Sequence, residues 1–331
     1  MKSKLIIILS FFLSHLFVGS AYAEEAQTEN ESTSDDGVIP PIENGFLYQN
    51  TLLYRHNPLG VGEIINIGYR KKLGDKPKDD LLFGNAHFHT GFELQTVGTI
   101  NVTEAFFLIE PIALLQFRFS YGRLFTPNDG NPDLLYDISL FSNSTKAMAS
   151  IPGAGLSACS IIKLQGQLRF PLGPLLVRNT TLYRKYAHMT NFEDREHFYD
   201  FNYDVVVESN GMLIHNDLDL LSLKSGRPWI LGLRYSYTHP FNTHETIENG
   251  DVQRLGPIMA WQFKNKPNRN HFRDHYVLLL TQVHLQHPVR AGDATFDGEF
   301  DLDADPFDYT TSRAVPYIGL LWGFGGQFAK K

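Results

Sequence analysis

Short segments in which apolar and polar residues alternate limit the fold of this chain more than any other feature. The segment Leu82–Thr96 is the clearest of them. Its even positions include Phe88, Phe92 and Leu94, whereas its odd positions include His87, His89, Glu93 and Gln95. Successive side chains of a strand point to opposite faces. The segment therefore predicts a strand with one apolar face and one polar face.

The same two-faced pattern recurs in three further segments. In Leu156–Phe170, Ala158, Ile162, Leu164 and Leu168 oppose Lys163, Gln165, Gln167 and Arg169. Near the C-terminus, Val277, Leu279, Val283 and Leu285 oppose Gln282, His284 and Gln286, and earlier Leu115, Phe117, Phe119 and Tyr121 oppose Gln116, Arg118 and Ser120. We expect further strands at Gly45–His56, Val61–Leu73, Asn101–Glu110, Leu175–Ala187, Phe201–Ser222, Trp229–His239, Pro257–Lys264 and Val315–Phe328.

These segments predict an all-β protein that crosses a membrane. Many reach the about 9 to 11 residues that a tilted strand needs to cross a bilayer, and no run after residue 23 approaches the roughly 18 apolar residues of a membrane helix. Backbone groups in hydrocarbon must all be paired, so spanning strands have to close into a barrel with a polar lumen. We therefore expect residues 45–328 to form a transmembrane antiparallel up-and-down β-barrel of about twelve strands.

The spacing of the predicted strands supports this topology, because short and long connections alternate. Short periplasmic turns are expected at Pro111-Ile112, Pro171 to Gly173, Lys224 to Pro228 and Asn265 to Arg273. Long outer loops are expected at Thr126–Gly155, His188–Tyr199, Pro240–Gly256 and Pro288–Ala314. The dipeptide Asn210-Gly211 is a hairpin signal. An even strand count nevertheless favours Phe201–Ser222 as one long strand that projects beyond the membrane.

The N-terminus indicates export. Lys2 and Lys4 precede an apolar run that ends near Ala21-Tyr22-Ala23, as in a signal peptide, so residues 1–23 are expected to be cleaved after Ala23. An uncleaved signal anchor is the alternative. Residues 24–44 are acidic and poor in apolar side chains, which predicts a disordered periplasmic tail; a short plug in the barrel is the other possibility.

Charge and cysteine content exclude two classes of protein. The 29 basic residues include Lys2 and Lys4, so the mature chain has 27 against 36 acidic residues and a net charge of −9. Phosphate binding needs a positive surface, and a nucleic-acid partner is therefore not expected. Cys159 is the single cysteine, so no intramolecular disulfide can hold the exported chain together.

The last predicted strand, with Ile318, Leu320, Trp322, Phe324 and Phe328 on one face, resembles the C-terminal β-signal of bacterial outer-membrane proteins. The resemblance implies location in the cell outer membrane of a Gram-negative-type bacterium. It also implies contact with outer-membrane lipid and lipopolysaccharide, and recognition of the last strand by the barrel assembly machinery. Residues 329–331 form a short tail after the closing Phe, which that machinery would have to tolerate.

A second resemblance concerns catalysis. Glu208-Ser209-Asn210-Gly211 is similar to part of the His-x-Ser-Asn-Gly segment of outer-membrane phospholipase A, but Val207 stands where the histidine is needed. A serine without an adjacent base is a weak nucleophile. No catalytic residue or cofactor is therefore expected, and a lipid hydrolase with Ser209 and a histidine outside the motif, such as His215, stays an alternative.

The predicted polar faces supply the candidate functional residues. The candidate lumen-lining residues are His87, His89, Glu93, Arg118, Lys163, Gln165, Arg169, Gln282 and His284. His87, His89 and Glu93, with His284 and His287 on another strand, could ligate a metal, but a hydrogen-bonded lining is preferred and no metal site is predicted. Arg118, Lys163, Arg169, Arg178 and Arg234 form either an ion-selecting ladder or pairs with carboxylates such as Glu93 or Asp219.

The predicted loop Pro288–Ala314 is rich in acidic residues. Its Asp301-x-Asp303-x-Asp305 pattern is similar to the start of a calcium loop, but Pro306 replaces the required Gly. A solvated acidic loop is therefore preferred to one that bridges divalent cations to lipopolysaccharide.

From these features we expect a non-enzymatic, narrow channel or transport pathway for small polar solutes, or a relic of one with a filled lumen. A surface structural or adhesive protein that acts through its outer loops is the remaining alternative.

Overall fold

The computed structural model describes residues 44–56, 60–74, 82–84, 86–97, 100–128, 155–190, 197–200, 202–208, 210–222, 228–241, 251–263, 275–287 and 316–328. The signal segment 1–23, most of the acidic tail 24–44 and the acidic loop Pro288–Ala314 lie outside these residues. No helix in the described ranges is long and apolar enough to cross a membrane.

Twelve strands form one closed antiparallel barrel, as the sequence predicts. They are β1 Gly45–His56, β2 Gly60–Lys72, β3 His87–Val97, β4 Ile100–Ile112, β5 Leu115–Asn128, β6 Gly155–Leu172, β7 Leu175–Thr190, β10 Met212–Ser222, β11 Trp229–Phe241, β12 Val252–Gln262, β13 Tyr276–Gln286 and β14 Tyr317–Gln327. Two short strands, β8 His197–Asp200 and β9 Val205–Glu208, form a separate hairpin between β7 and β10. We call this segment, residues 197–208, the lumen hairpin.

Both chain ends of the barrel and the tight turns that follow β4 and β6 lie at one end. By the rule that periplasmic turns are short, this is the periplasmic end, and the opposite one is the outer end. The β1–β14 pairing closes the barrel, and Phe328 extends the seam by donating its backbone N–H to the carbonyl oxygen of Phe46 at 3.0 Å. The Phe328 ring also packs against Tyr48, with 5.3 Å between ring centroids.

The predicted two faces of the strands are confirmed. On β3, Phe92 is 68% exposed on the outer surface, whereas the adjacent Glu93 is 7% exposed inside. The same contrast holds on β6, where Leu164 is exposed and Gln165 is buried. Apolar and aromatic side chains thus surround the barrel, as a hydrocarbon environment requires.

Several predicted boundaries are wrong. The strand Leu82–Thr96 begins only at His87, because Leu82 and Phe83 lie in a turn that is closed by the hydrogen bond from Ala86 N–H to the Phe83 carbonyl at 3.1 Å. The expected outer loop Pro240–Gly256 is shorter, because β12 already begins at Val252.

The predicted start of this strand at Pro257 is therefore wrong, and the proline does not occupy the strand end at which proline is usually found. Pro257 instead lies inside the strand, where it pairs with Leu233 of β11. On its other side the ladder to β13 runs from Leu255↔Val283 to Ile258↔Leu280 and omits Pro257, which has no N–H to donate.

The single long strand predicted at Phe201–Ser222 is also wrong. The chain forms the lumen hairpin first, and β10 begins at Met212. Asp204 turns the hairpin with a φ of 60°, a conformation that Asp tolerates better than most residues. The barrel still has an even number of strands, because β8 and β9 are not part of it.

Two apolar clusters pack inside the barrel. The first lies toward the outer end and joins wall residues such as Ile161, Leu182 and Leu213 to Val205 and Val207 of the lumen hairpin. The second lies toward the periplasmic end of β7 and β10 to β13 and includes Leu176, Leu221, Ile230, Ile258 and Leu278. Buried polar and charged side chains line the wall between them.

The apolar outward face predicts that a charge placed on it costs more at the middle of the membrane than at its edge. Replacing Phe92 by Arg puts a charge at the middle of β3 in hydrocarbon and should lower the free energy of unfolding by about 2–4 kcal/mol. Phe46→Arg is the matched control, because Phe46 is 60% exposed but sits at the periplasmic edge of β1, where the cost should be about 0–1 kcal/mol. Unfolding titrations in lipid vesicles measure the free energy of unfolding of both variants. Equal losses of free energy would show that the middle of the apolar belt does not lie at Phe92.

Candidate functional site: the barrel lumen

All nine candidate lumen-lining residues project into the barrel. Eight of them are buried: His87, His89, Glu93, Arg118, Gln165, Arg169, Gln282 and His284. The ninth, Lys163, keeps 13% of its side chain exposed. Each lies on the face opposite the apolar belt, and five of them line the central cavity: Glu93, Arg118, Lys163, Gln165 and Gln282.

Ion pairs cross the wall on the β3 to β6 side. The guanidinium of Arg118 lies 2.8 Å from a carboxylate oxygen of Glu93, and Arg169 lies 3.2 Å from Glu110. Lys163 pairs with Glu104, which also accepts a hydrogen bond from Ser120 at 3.0 Å. Each ion pair joins strands two apart in the barrel and passes across the strand between them.

A second group of ion pairs centres on Asp219 of β10, whose side chain is fully buried. Arg178 on one neighbouring strand donates from Nε at 2.9 Å, and Arg234 on the other donates from Nε at 2.6 Å. Arg234 also reaches Asp217 at 3.2 Å. The sequence left two hypotheses for the basic ladder, an ion-selecting ladder or pairs with carboxylates. In the structure all five cations of the ladder are paired with carboxylates.

The lumen hairpin enters the barrel from the outer end and contacts strands around its circumference. Asn202 accepts hydrogen bonds from Arg55 of β1 at 3.5 Å and from Gln95 of β3 at 3.3 Å. Asp200 pairs with Arg184 of β7 at 3.3 Å, and the Tyr203 ring packs on His215 of β10.

On the remaining side, Asp204 of the hairpin meets His284 and His287 near the outer end of β13. Contacts to five strands place the hairpin tip across the bore. Sequence analysis missed this insertion; the dipeptide Asn210-Gly211 lies at the break between β9 and β10, but the parity argument set it aside.

A cavity of about 160 Å³ lies below the hairpin tip, and Asn202 and Tyr203 belong to its walls. Its lining contains seven basic residues, Arg55, Arg118, Lys163, Arg178, Arg184, Arg234 and Arg254, and three acidic residues, Glu93, Glu104 and Asp217. Asp219, the partner of Arg178 and Arg234, does not line the cavity. Basic residues therefore outnumber acidic ones in the lining.

The metal ligands considered from sequence separate into two places. His89 packs edge-on against Phe106 at 4.9 Å, and Glu93 is occupied by Arg118, so the set His87, His89 and Glu93 does not converge. Within the described ranges, the group whose ligand atoms converge is His284, His287 and Asp204. Sequence could not supply Asp204, because it lies on the inserted hairpin.

The hydrolase alternative names His215 as a possible base for Ser209. It requires a serine and a histidine on the lipid-facing wall, but His215 points into the lumen, with its Nδ1 2.7 Å from the Thr238 hydroxyl. Val207, which replaces the motif histidine, is fully buried in the outer apolar cluster. Ser209 itself lies outside the described residues.

No protein-family model matches the sequence, and a comparison with curated proteins also found no match. Solved structures with a similar fold include the translocator domain of the autotransporter NalP from Neisseria meningitidis, with 12% identity, a TM-score of 0.40, and coverage of 93% of this chain and 97% of that one. The NanC porin is 9% identical with a TM-score of 0.38, and the match covers 85% of this chain and 100% of that one. OmpT, an outer-membrane protein of Vibrio cholerae, is 8% identical with a TM-score of 0.35, and the match covers 86% of this chain and 99% of that one.

This chain is a β-barrel of the kind whose strands cross a membrane. Its closed sheet, its apolar exterior and its polar interior are the arrangement by which strands cross such a membrane. Its outward face is in contact with membrane lipid.

Asp219 tests whether the ion pairs hold the wall together. Asp219→Asn leaves Arg178 buried without a countercharge, and we expect a loss of about 3 kcal/mol in the free energy of unfolding. Asp251→Asn is the control, because Asp251 pairs with His239 at 2.6 Å but is partly exposed, and this change should cost less than about 1 kcal/mol. Urea unfolding of the refolded barrels measures both values, and a negligible effect of Asp219→Asn would contradict the structural role.

Proposed function

We propose that this protein is a narrow, non-enzymatic channel of the outer membrane for small polar solutes, with a preference for anions. The observation that carries the proposal is the lining of the cavity, in which seven basic side chains face three acidic ones. A passage whose surface carries an excess of one charge concentrates ions of the opposite sign.

The size of the passage supports small solutes. Barrels of about eight strands are filled by side chains, whereas those of sixteen or more leave an open aqueous channel. Twelve strands give an intermediate bore, and the lumen hairpin narrows it further at the level of Asn202 and Tyr203. The hairpin is therefore the constriction of the proposed pathway.

A surface structural or adhesive protein is the second candidate. It is favoured by the same hairpin, since a tip that touches five strands and a wall of ion pairs could also seal the bore. The two proposals differ in one observable, because only the channel conducts ions.

Two partners belong to this proposal. Lipopolysaccharide would surround the outer end of the apolar belt. The barrel assembly machinery would recognise β14, whose outward residues include Leu320 and Trp322, both more than 40% exposed.

Charge selectivity tests the channel proposal. Arg254 lies over the Tyr317 ring, with its guanidinium carbon 4.5 Å from the ring centroid, and lines the cavity. A unit charge about 8 Å away in water is worth about 0.5 kcal/mol, or a factor of about two in ion occupancy. Reversal potentials in planar bilayers should thus show anion preference in the wild type and a ratio of anion to cation permeability about twofold lower in Arg254→Gln.

Arg123→Gln is the matched control, because Arg123 is exposed on the outer face of β5 and its loss should leave the permeability ratio unchanged. Cation preference of the wild-type protein would contradict the proposed solute class, and absence of conductance from folded barrels would favour the structural protein.

Truncation tests the role of the last strand. Deletion of Phe328 to Lys331 removes the closing aromatic residue and its bond to Phe46, and should impair membrane assembly in cells, whereas deletion of Ala329 to Lys331 should not. The amount of heat-modifiable protein in outer-membrane fractions is the measurement. Equal assembly of both truncations would show that the last residues carry no assembly signal.

A further inference from the structure

We propose that Asp204, His284 and His287 form a binding site for a divalent transition-metal ion, of which Zn²⁺ is the representative, and that the bound ion fastens the lumen hairpin to the barrel wall. The inference does not depend on the channel proposal. It concerns a cluster that lies beside the passage and has no part in the charge argument above.

The geometry of the three ligand atoms suits a metal ion. Both imidazole Nε2 atoms approach the same carboxylate oxygen of Asp204, His287 at 3.1 Å and His284 at 3.5 Å. All three ligand atoms lie within 4.8 Å of one another. A tetrahedral zinc ion with bonds of about 2.0–2.2 Å separates its ligand atoms by roughly 3.3–3.6 Å, so the observed spacing needs only small side-chain movements.

Burial sets this cluster apart from an ordinary surface ion pair. The side chains of His284 and His287 are 0% exposed, and that of Asp204 is 1% exposed. The two rings lie edge to face with centroids 5.3 Å apart. If one of the two imidazoles is protonated, its charge balances that of the carboxylate. Protonation of the second imidazole would add a buried charge that has no counterion in the cluster. A divalent cation uses the nitrogen lone pairs of two neutral imidazoles and the carboxylate oxygen together.

The backbone presents the ligands from two separate elements. His284 lies on the inward face of β13, and β13 ends at Gln286. His287 is at an odd spacing from His284 and would face outward in a continued strand, but the chain leaves the strand there and the side chain is buried inside. Asp204 arrives from the hairpin turn, where its φ of 60° aims it at β13.

The donor set indicates which metals are suitable. Two imidazoles and one carboxylate suit Zn²⁺ and neighbouring transition metals, whereas Ca²⁺ and Mg²⁺ prefer oxygen ligands alone. Three protein ligands leave one tetrahedral position for water. Since the ligands connect the hairpin to β13, the ion would link the constriction to the wall.

The experiment is a calorimetric titration of the untagged, refolded full-length barrel with ZnCl₂ after removal of metals by a chelator. We expect saturable binding of one ion per chain that MgCl₂ does not abolish. Asp204→Asn, His284→Gln and His287→Gln should each weaken zinc affinity at least about tenfold. His239→Gln is the matched control, because His239 also pairs with an aspartate, Asp251, but lies outside the cluster. The zinc affinity of this variant should equal that of the wild type.

Heat-modifiable migration shows which variants are folded, and zinc X-ray absorption of the wild-type complex provides a readout that needs no variant. Scattering from two imidazoles is expected. Absence of saturable zinc binding, zinc bound by oxygen ligands alone, or unchanged affinity in the folded ligand variants would each overturn the proposal.

Discussion

The absence of water in the bilayer core is the constraint on which the whole structure depends. Each backbone N–H and C=O at that depth needs a partner within the protein, and the closed ladder from β1 through β14 supplies one along every strand. Closure forces each strand to present one face to lipid and one to the lumen. The apolar belt outside and the charged wall inside are consequences of this single requirement.

Inside the barrel the opposite problem arises, because charges lie in a confined space. The protein solves it by pairing each cation of the ladder with a carboxylate. Among the charged residues that line the cavity, seven are nevertheless basic and three acidic. The lumen hairpin depends on the same chemistry, since Asp200 and Asp204 attach it to Arg184 and to the histidines of β13.

Sequence alternation was sufficient to predict what depends on one strand at a time. The inward position of His89 and the outward position of Phe92 follow from a period of two, whereas the strand number also depended on the rule that such barrels have an even count. It could not predict contacts between distant segments. Nothing near Phe201 distinguishes a strand that projects from the membrane from one that folds back inside, and the meeting of Asp204 with His284 depends on that choice. Pro257 shows the same limit, because its tolerance depends on which neighbouring strand its missing N–H would face.

The account rests on the claim that the lumen is a passage narrowed by the hairpin. Single-channel conductance of the wild-type barrel, compared with a variant in which residues 200–207 are replaced by a short glycine-serine linker, tests it most directly. We expect a small conductance in the wild type and a clearly larger one in the variant, because the tip that crosses the bore is removed. Equal conductance of the two folded barrels, or none in either, would contradict the account.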